Sequence, residues 1–152
     1  MRTPAKTATV VATVLLALAG LSACSLLGPS RDSDGRVTAT TEINSTALLV
    51  GDCFSFVDGS NLGRADVTPC AKQHTYIVIG SGNLTDAQVQ KDNGVQDAVS
   101  VACSADFEKF KAAAAAGTKP KEQFVVSTSE KDGKQVTLYL CVATDSVAVA
   151  AG

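Results

Sequence analysis

Residues 95–117 read VQDAVSVACSADFEKFKAAAAAG. Val95, Val99, Cys103, Phe107 and Phe110 recur at spacings of 4, 4, 4 and 3, which places them on one face of an α-helix. Lys111 and the Ala112–Ala116 run favour helix, Gly117 stands where a left-handed C-terminal cap is expected, and Pro120 follows shortly after. A second helical signal precedes it. Thr85 with Gln88 three residues on forms a capping box, and Leu84 can staple onto Val89. Gly94 separates the two, because glycine costs about 1 kcal/mol relative to alanine inside a helix.

On both sides of these helices the pattern is β. Leu48–Val50, a break at Gly51 and Asp52, and Phe54, Phe56 and Val57 read as a short strand or bulged pair of strands. Asp58, Gly59, Ser60, Asn61 and Gly63 supply a turn. Tyr76–Ile79 forms an apolar run closed by Gly80 and Gly82, short enough for a buried strand. Past the long helix, Phe124–Ser127 and Gln135–Val142 are β-prone, and Asp132-Gly133 between them is a hairpin signal. The expected class is α+β: a small, mainly antiparallel sheet packed by one long helix.

The cysteines say how this is held. Cys53, Cys70, Cys103 and Cys141 form an even set that admits three pairings. Sequential pairing is the most economical, with Cys53 to Cys70 closing the first β excursion and Cys103 to Cys141 stapling the long helix to the last strand. A fifth cysteine, Cys24, belongs to the N-terminus. There Arg2 and Lys6 precede an apolar run from Thr7 to Gly20, the layout of a secretory signal, and the run is too short for a membrane span. Leu21-Ser22-Ala23-Cys24 resembles the bacterial lipobox, which implies lipidation of Cys24 and cleavage before it. Residues 1–23 are then a signal peptide, and the expected location is the extracytoplasmic face of the cell membrane, held by the lipid without a span.

Of the remainder, residues 24–47 read as a flexible linker: they are rich in Ser, Thr, Gly, Asp and Arg, with too little apolar surface to offset ordering. Such a linker spans roughly 25 Å. Thr38, Thr40, Thr41, Ser45 and Thr46 are candidate glycan positions in it, although solvated linkers use Thr as readily; Asn44 and Asn83 sit in N-x-Ser/Thr sequons that carry little weight in bacteria. Residues 48–145 form the domain and 146–152 a small-residue tail.

Composition bounds the chemistry. The 152 residues carry 13 Lys and Arg against 15 Asp and Glu, and residues 1–23 hold two of the bases and no acid, so cleavage takes the net charge from −2 to −4. This excludes a strongly basic nucleic-acid binder and leaves tethering to the lipid rather than to basic residues beside anionic lipid. Cys70 and His74 have the spacing of half a zinc site, but an exported protein normally oxidises the thiols that would complete it. No metal or cofactor is expected. Ser81 lacks a nucleophile elbow, the single His selects no serine, and Asp52, Asp58 and Asp66 sit among turn residues, so no catalytic constellation emerges.

Gly51-Asp52-Cys53-Phe54, then Pro69-Cys70 with His74 four residues on, Cys103 with Phe107, and a Gly133 turn leading to Cys141 together resemble the septum formation domain family of secreted and membrane-anchored proteins in high-GC Gram-positive bacteria. The resemblance spans about Leu48 to Val142. It implies a non-enzymatic extracytoplasmic domain associated with envelope or division proteins, with Gly51, Asp52, Pro69, His74 and the four cysteines as architectural residues. The alternative expectation is a small-ligand-binding or accessory lipoprotein of a transport or secretion system, with its ligand in a cleft between helix and sheet.

Overall fold

The computed structural model describes residues 28–57, 63–131 and 134–144. The signal segment with Cys24, the Asp58–Asn61 part of the first turn, the Asp132-Gly133 turn and the tail lie outside the described residues.

Six strands form one antiparallel sheet: β1 (Thr41–Asn44), β2 (Cys53–Phe56), β3 (Arg64–Thr68), β4 (Tyr76–Leu84), β5 (Glu122–Lys131) and β6 (Lys134–Thr144), in the order β1-β3-β2-β4-β6-β5. Two helices, α1 (Asp86–Lys91) and α2 (Val95–Ala113), cross over between β4 and β5. The protein is therefore α+β with a helix packed on the sheet, as the sequence pattern predicts.

Strand side chains alternate faces, and here both faces bury an apolar cluster. On β6, Tyr139 and Cys141 face α2, whereas Leu140 and Val142 face the other way; on β5, Phe124 and Val126 oppose Val125 in the same manner. The α2 side holds Leu84, Ala98, Val99, Cys103 and Cys141. The far side holds Val37, Leu48, Phe54, Ala65, Val67, Val78, Val125 and Val142, with Phe56 edge-on and Tyr76 tilted against Phe54 at ring separations of 5.0 and 5.5 Å. A short 3-10 turn, Ser45–Ala47, leads out of edge strand β1 and lies against β5 at the opposite edge, so the sheet curls around this second cluster.

Both disulfides are the sequential ones: Cys53–Cys70 with Cα atoms 5.1 Å apart and Cys103–Cys141 at 5.4 Å. The capping box is formed, Thr85 N–H donating to Gln88 Oε1 at 2.9 Å and Gln88 N–H to Thr85 Oγ1 at 3.3 Å. Leu84 and Val89 share the α2-side cluster. The break comes where Asn93 and Gly94 adopt φ of 61° and 136°, values that carry the chain out of α1 and into α2.

Four sequence expectations are corrected. The flexible linker over residues 24–47 does not extend through its second half: Arg31 and Val37 form a bridge, Val37 is buried, and Thr41–Asn44 is an edge strand paired with β3. Polar composition concealed an alternating Thr-Glu-Ile-Asn whose Ile43 packs on the core. Second, Leu48–Val50 is not a strand: Leu48 enters the core while Leu49 and Val50 point outward ahead of Gly51, whose φ is 92°. Third, β4 runs through Gly80 and Gly82 to Leu84 instead of closing at them. A Cβ at Gly80 would meet the end of the Asp106 side chain and one at Gly82 the Tyr139 ring. Fourth, α2 ends at Ala113, not at Gly117; Ala114 is extended and Gly117, φ 92°, shapes the following turn.

Candidate functional site

The motif residues of the first β unit converge. Gly51, Asp52, Cys53, Pro69 and Cys70 line one hollow of about 660 Å³, closed on its other side by residues 32, 34–37. Asp52 is its organiser. Its buried carboxylate takes Arg31 Nη1 on Oδ1 at 2.6 Å and Arg31 Nη2 on Oδ2 at 2.7 Å, and Oδ2 also accepts the Leu49 N–H at 2.8 Å. Backbone bonds from Gly51 N–H to Val78 O and from Val78 N–H to Asp52 O lock the same corner to β4. Arg31 is the partner that sequence reasoning missed, because it lies in the stretch read as linker. The hydrogen bond to Asp52 raises the Arg31 guanidinium above its ordinary range, with burial acting in the opposite direction.

His74 is buried, with Nδ1 2.7 Å from Lys72 O. Cys70 is spent on its disulfide, which removes the thiolate that a zinc site with His74 would use. Asp66 is exposed on β3, away from the Arg31 pair, and Ser81 is exposed on β4. Among the described residues no three His, Cys, Asp or Glu side chains converge as a metal site requires, and no helix is long and apolar enough to cross a membrane. The residues considered for glycans are partly committed: Thr40 Oγ1 bonds Thr68 Oγ1 at 2.8 Å, Ser45 is buried, and Asn44 Oδ1 caps the 3-10 turn by accepting from Thr46 N–H at 2.9 Å.

Two further concavities flank the sheet. On the face away from α2, an apolar groove of about 210 Å³ runs along Leu138 and Leu140 of β6, Val125 and Ser127 of β5 and Ser81 of β4, rimmed by Leu48, Leu49 and Val50. Between α2 and β5, a cleft of about 460 Å³ is lined by Val95, Gln96, Val99, Glu122, Gln123, Phe124 and Val126. Glu122 Oε1 and Gln123 Oε1 are buried without a hydrogen-bond partner; Glu122 shares the cleft's face with Phe124 and Val126, whereas Gln123, paired with Val142, belongs to the opposite face of the strand. Desolvation, followed by the nearby Glu108 charge, raises the Glu122 carboxyl above its usual range, and Lys111 partly opposes this. A cleft between helix and sheet is the place the sequence reading gave a small ligand, but no residue pattern announced the lining of either concavity, since each is assembled from elements distant in sequence.

In comparisons with known proteins, no family model, no curated protein and no solved structure matches the chain.

Proposed function

We propose that the chain is a lipid-anchored extracytoplasmic protein whose domain acts as a non-enzymatic binding or scaffolding module of the cell envelope, in septum formation or a related process. The observation that carries it is the Leu21–Cys24 lipobox pattern set ahead of a domain stapled by two disulfides, the form taken by chains exported to an oxidising compartment. The resemblance around Gly51-Asp52-Cys53-Phe54 and Pro69-Cys70 directs the proposal to division and wall-synthesis proteins as partners. In this reading the Asp52 corner is a brace, and His74 serves packing and hydrogen bonding.

Crosslinking in living cells from probes on the exposed faces of the domain, with a Cys24→Ala control, tests the proposal. Enrichment of division or wall-synthesis proteins by the anchored form alone is expected; recovery of nothing reproducible overturns it.

A second reading is favoured by one specific observation. The unpaired Glu122 oxygen in the cleft between α2 and β5 suits a small ligand that brings an N–H donor, as in an accessory lipoprotein of a transport system. A ligand of this kind raises the melting temperature in proportion to the logarithm of its concentration above Kd.

A further inference from the structure

Four large apolar side chains are exposed among the described residues: Leu49 at 54%, Val50 at 56%, Leu138 at 41% and Val101 at 62%. Single exposed Leu and Val residues are ordinary on protein surfaces. Three of these four, however, rim one groove, and Leu49 and Val50 form the tip of the turn that leads into Gly51. A continuous apolar edge of this kind marks a surface that is covered in use.

The position of the tip relative to the chain's beginning says what covers it. The domain starts at Ser30, whose carbonyl accepts the Thr38 N–H at 2.9 Å, and Arg31 is clamped by the same Asp52 carboxylate that holds the Leu49 N–H. Between Cys24 and Ser30 stand five residues, Ser25, Leu26, Leu27, Gly28 and Pro29. Fully extended, that length reaches about 20 Å, and as a coil roughly 13 Å. A lipid on Cys24 thus brings the Arg31 corner, and the Leu49–Val50 tip beside it, next to the bilayer. No basic cluster surrounds the tip, since Asp32 and Asp34 accompany Arg31 and Arg36, so apolar insertion rather than charge must hold it there.

We propose that the groove rim formed by Leu49, Val50 and Leu138 docks into the outer leaflet that carries the Cys24 lipid, fixing the domain's orientation so that α2 faces away from the membrane. The proposal rests on the lipid-anchor reading above. Val101 lies on α2, across the sheet from the groove, and is its internal reference.

The chain contains no tryptophan, so a single introduced one reports its own position. Leu49→Trp, Val50→Trp and Val101→Trp variants of the full chain, expressed in the native membrane, are purified as lipoprotein and placed in phosphatidylethanolamine and phosphatidylglycerol vesicles containing lipids brominated near the top of the acyl chains. The expected result is quenching several-fold stronger at positions 49 and 50 than at 101, with blue-shifted emission. Equal, weak quenching at all three positions overturns the proposal, and a blue shift without quenching does so by showing that protein covers the tip. Mass spectrometry of the same preparation separates the two levels: an unmodified Cys24 in a soluble protein removes the anchor reading and the docking with it, whereas an acylated Cys24 with an unquenched tip removes the docking alone.

Discussion

Arg31 and Asp52 face each other in a two-point ion pair, Nη1 to Oδ1 at 2.6 Å and Nη2 to Oδ2 at 2.7 Å, across 21 positions of sequence. The planar guanidinium matches the carboxylate in a fork that lysine does not reproduce. Nη1 also donates to Gly35 O at 2.8 Å, so one side chain closes the residue 31–37 loop and ties it to the start of β2. What composition presents as a tether is part of the domain.

Arg31→Met leaves the Asp52 carboxylate buried without its cation and should lower stability by about 3 kcal/mol. Urea denaturation monitored by circular dichroism measures this. A midpoint equal to that of the parent would return residues 31–37 to the status of a linker, and the Arg31→Met, Asp52→Leu double variant should recover part of the loss, since no charge is then stranded.

The two disulfides close loops of different length, with sequence separations of 17 and 38. Chain-entropy arguments assign about 3 kcal/mol to Cys53–Cys70 and about 4 kcal/mol to Cys103–Cys141. The Cys103→Ser, Cys141→Ser variant should therefore be the less stable of the two paired removals, and peptide mapping without reductant should yield only these two bridges.

Gly82→Ala sets a methyl group 2.7 Å from Tyr139 Cζ. The ring lies over the glycine from the neighbouring strand and must leave it, at a cost of about 1–3 kcal/mol. At Gly80 the obstacle is largely the end of the Asp106 side chain, which can swing away, so Gly80→Ala should cost less. Thermal melts of the two variants side by side test the order.

Glu122 has its folded-state carboxyl raised by desolvation and by Glu108. A raised group stabilises fully below its unfolded value, about 4.3 for Glu, and that contribution is lost as pH rises through the folded value. Glu122→Gln should therefore melt higher than the parent at neutral pH and converge with it in acid. A variant that melts lower at neutral pH would show Glu122 making a stabilising bond as its anion.

Local chemistry was legible wherever neighbours in sequence settle the structure. The Thr85–Gln88 box, the break at Gly94, the pairing of β5 with β6 and the helical stripe through Val95, Val99 and Cys103 depend on residues within a turn or a hairpin of one another. Phe107 and Phe110 extend the stripe but end half-buried, and Phe107 lies under the Lys111 ammonium at 5.6 Å instead of deep against the sheet. The cysteine pairing was legible for a related reason: few arrangements exist, and the sequential one closes the shortest loops.

The sequence by itself determined the class of fold, the α1–α2 punctuation and the alternation of the last hairpin, and favoured one of three disulfide pairings that the structure then shows, because capping, helical periodicity and loop closure act over short separations. Tertiary structure alone decided that Thr41–Asn44 joins the sheet, that Arg31 completes Asp52, that β4 passes through two glycines beneath Asp106 and Tyr139, and that Leu49, Val50 and Leu138 share one groove. Each of these depends on groups far apart in sequence. Their proximity is set by the curl of the sheet and the desolvation it imposes, and neither is written in the residues on one side of the contact.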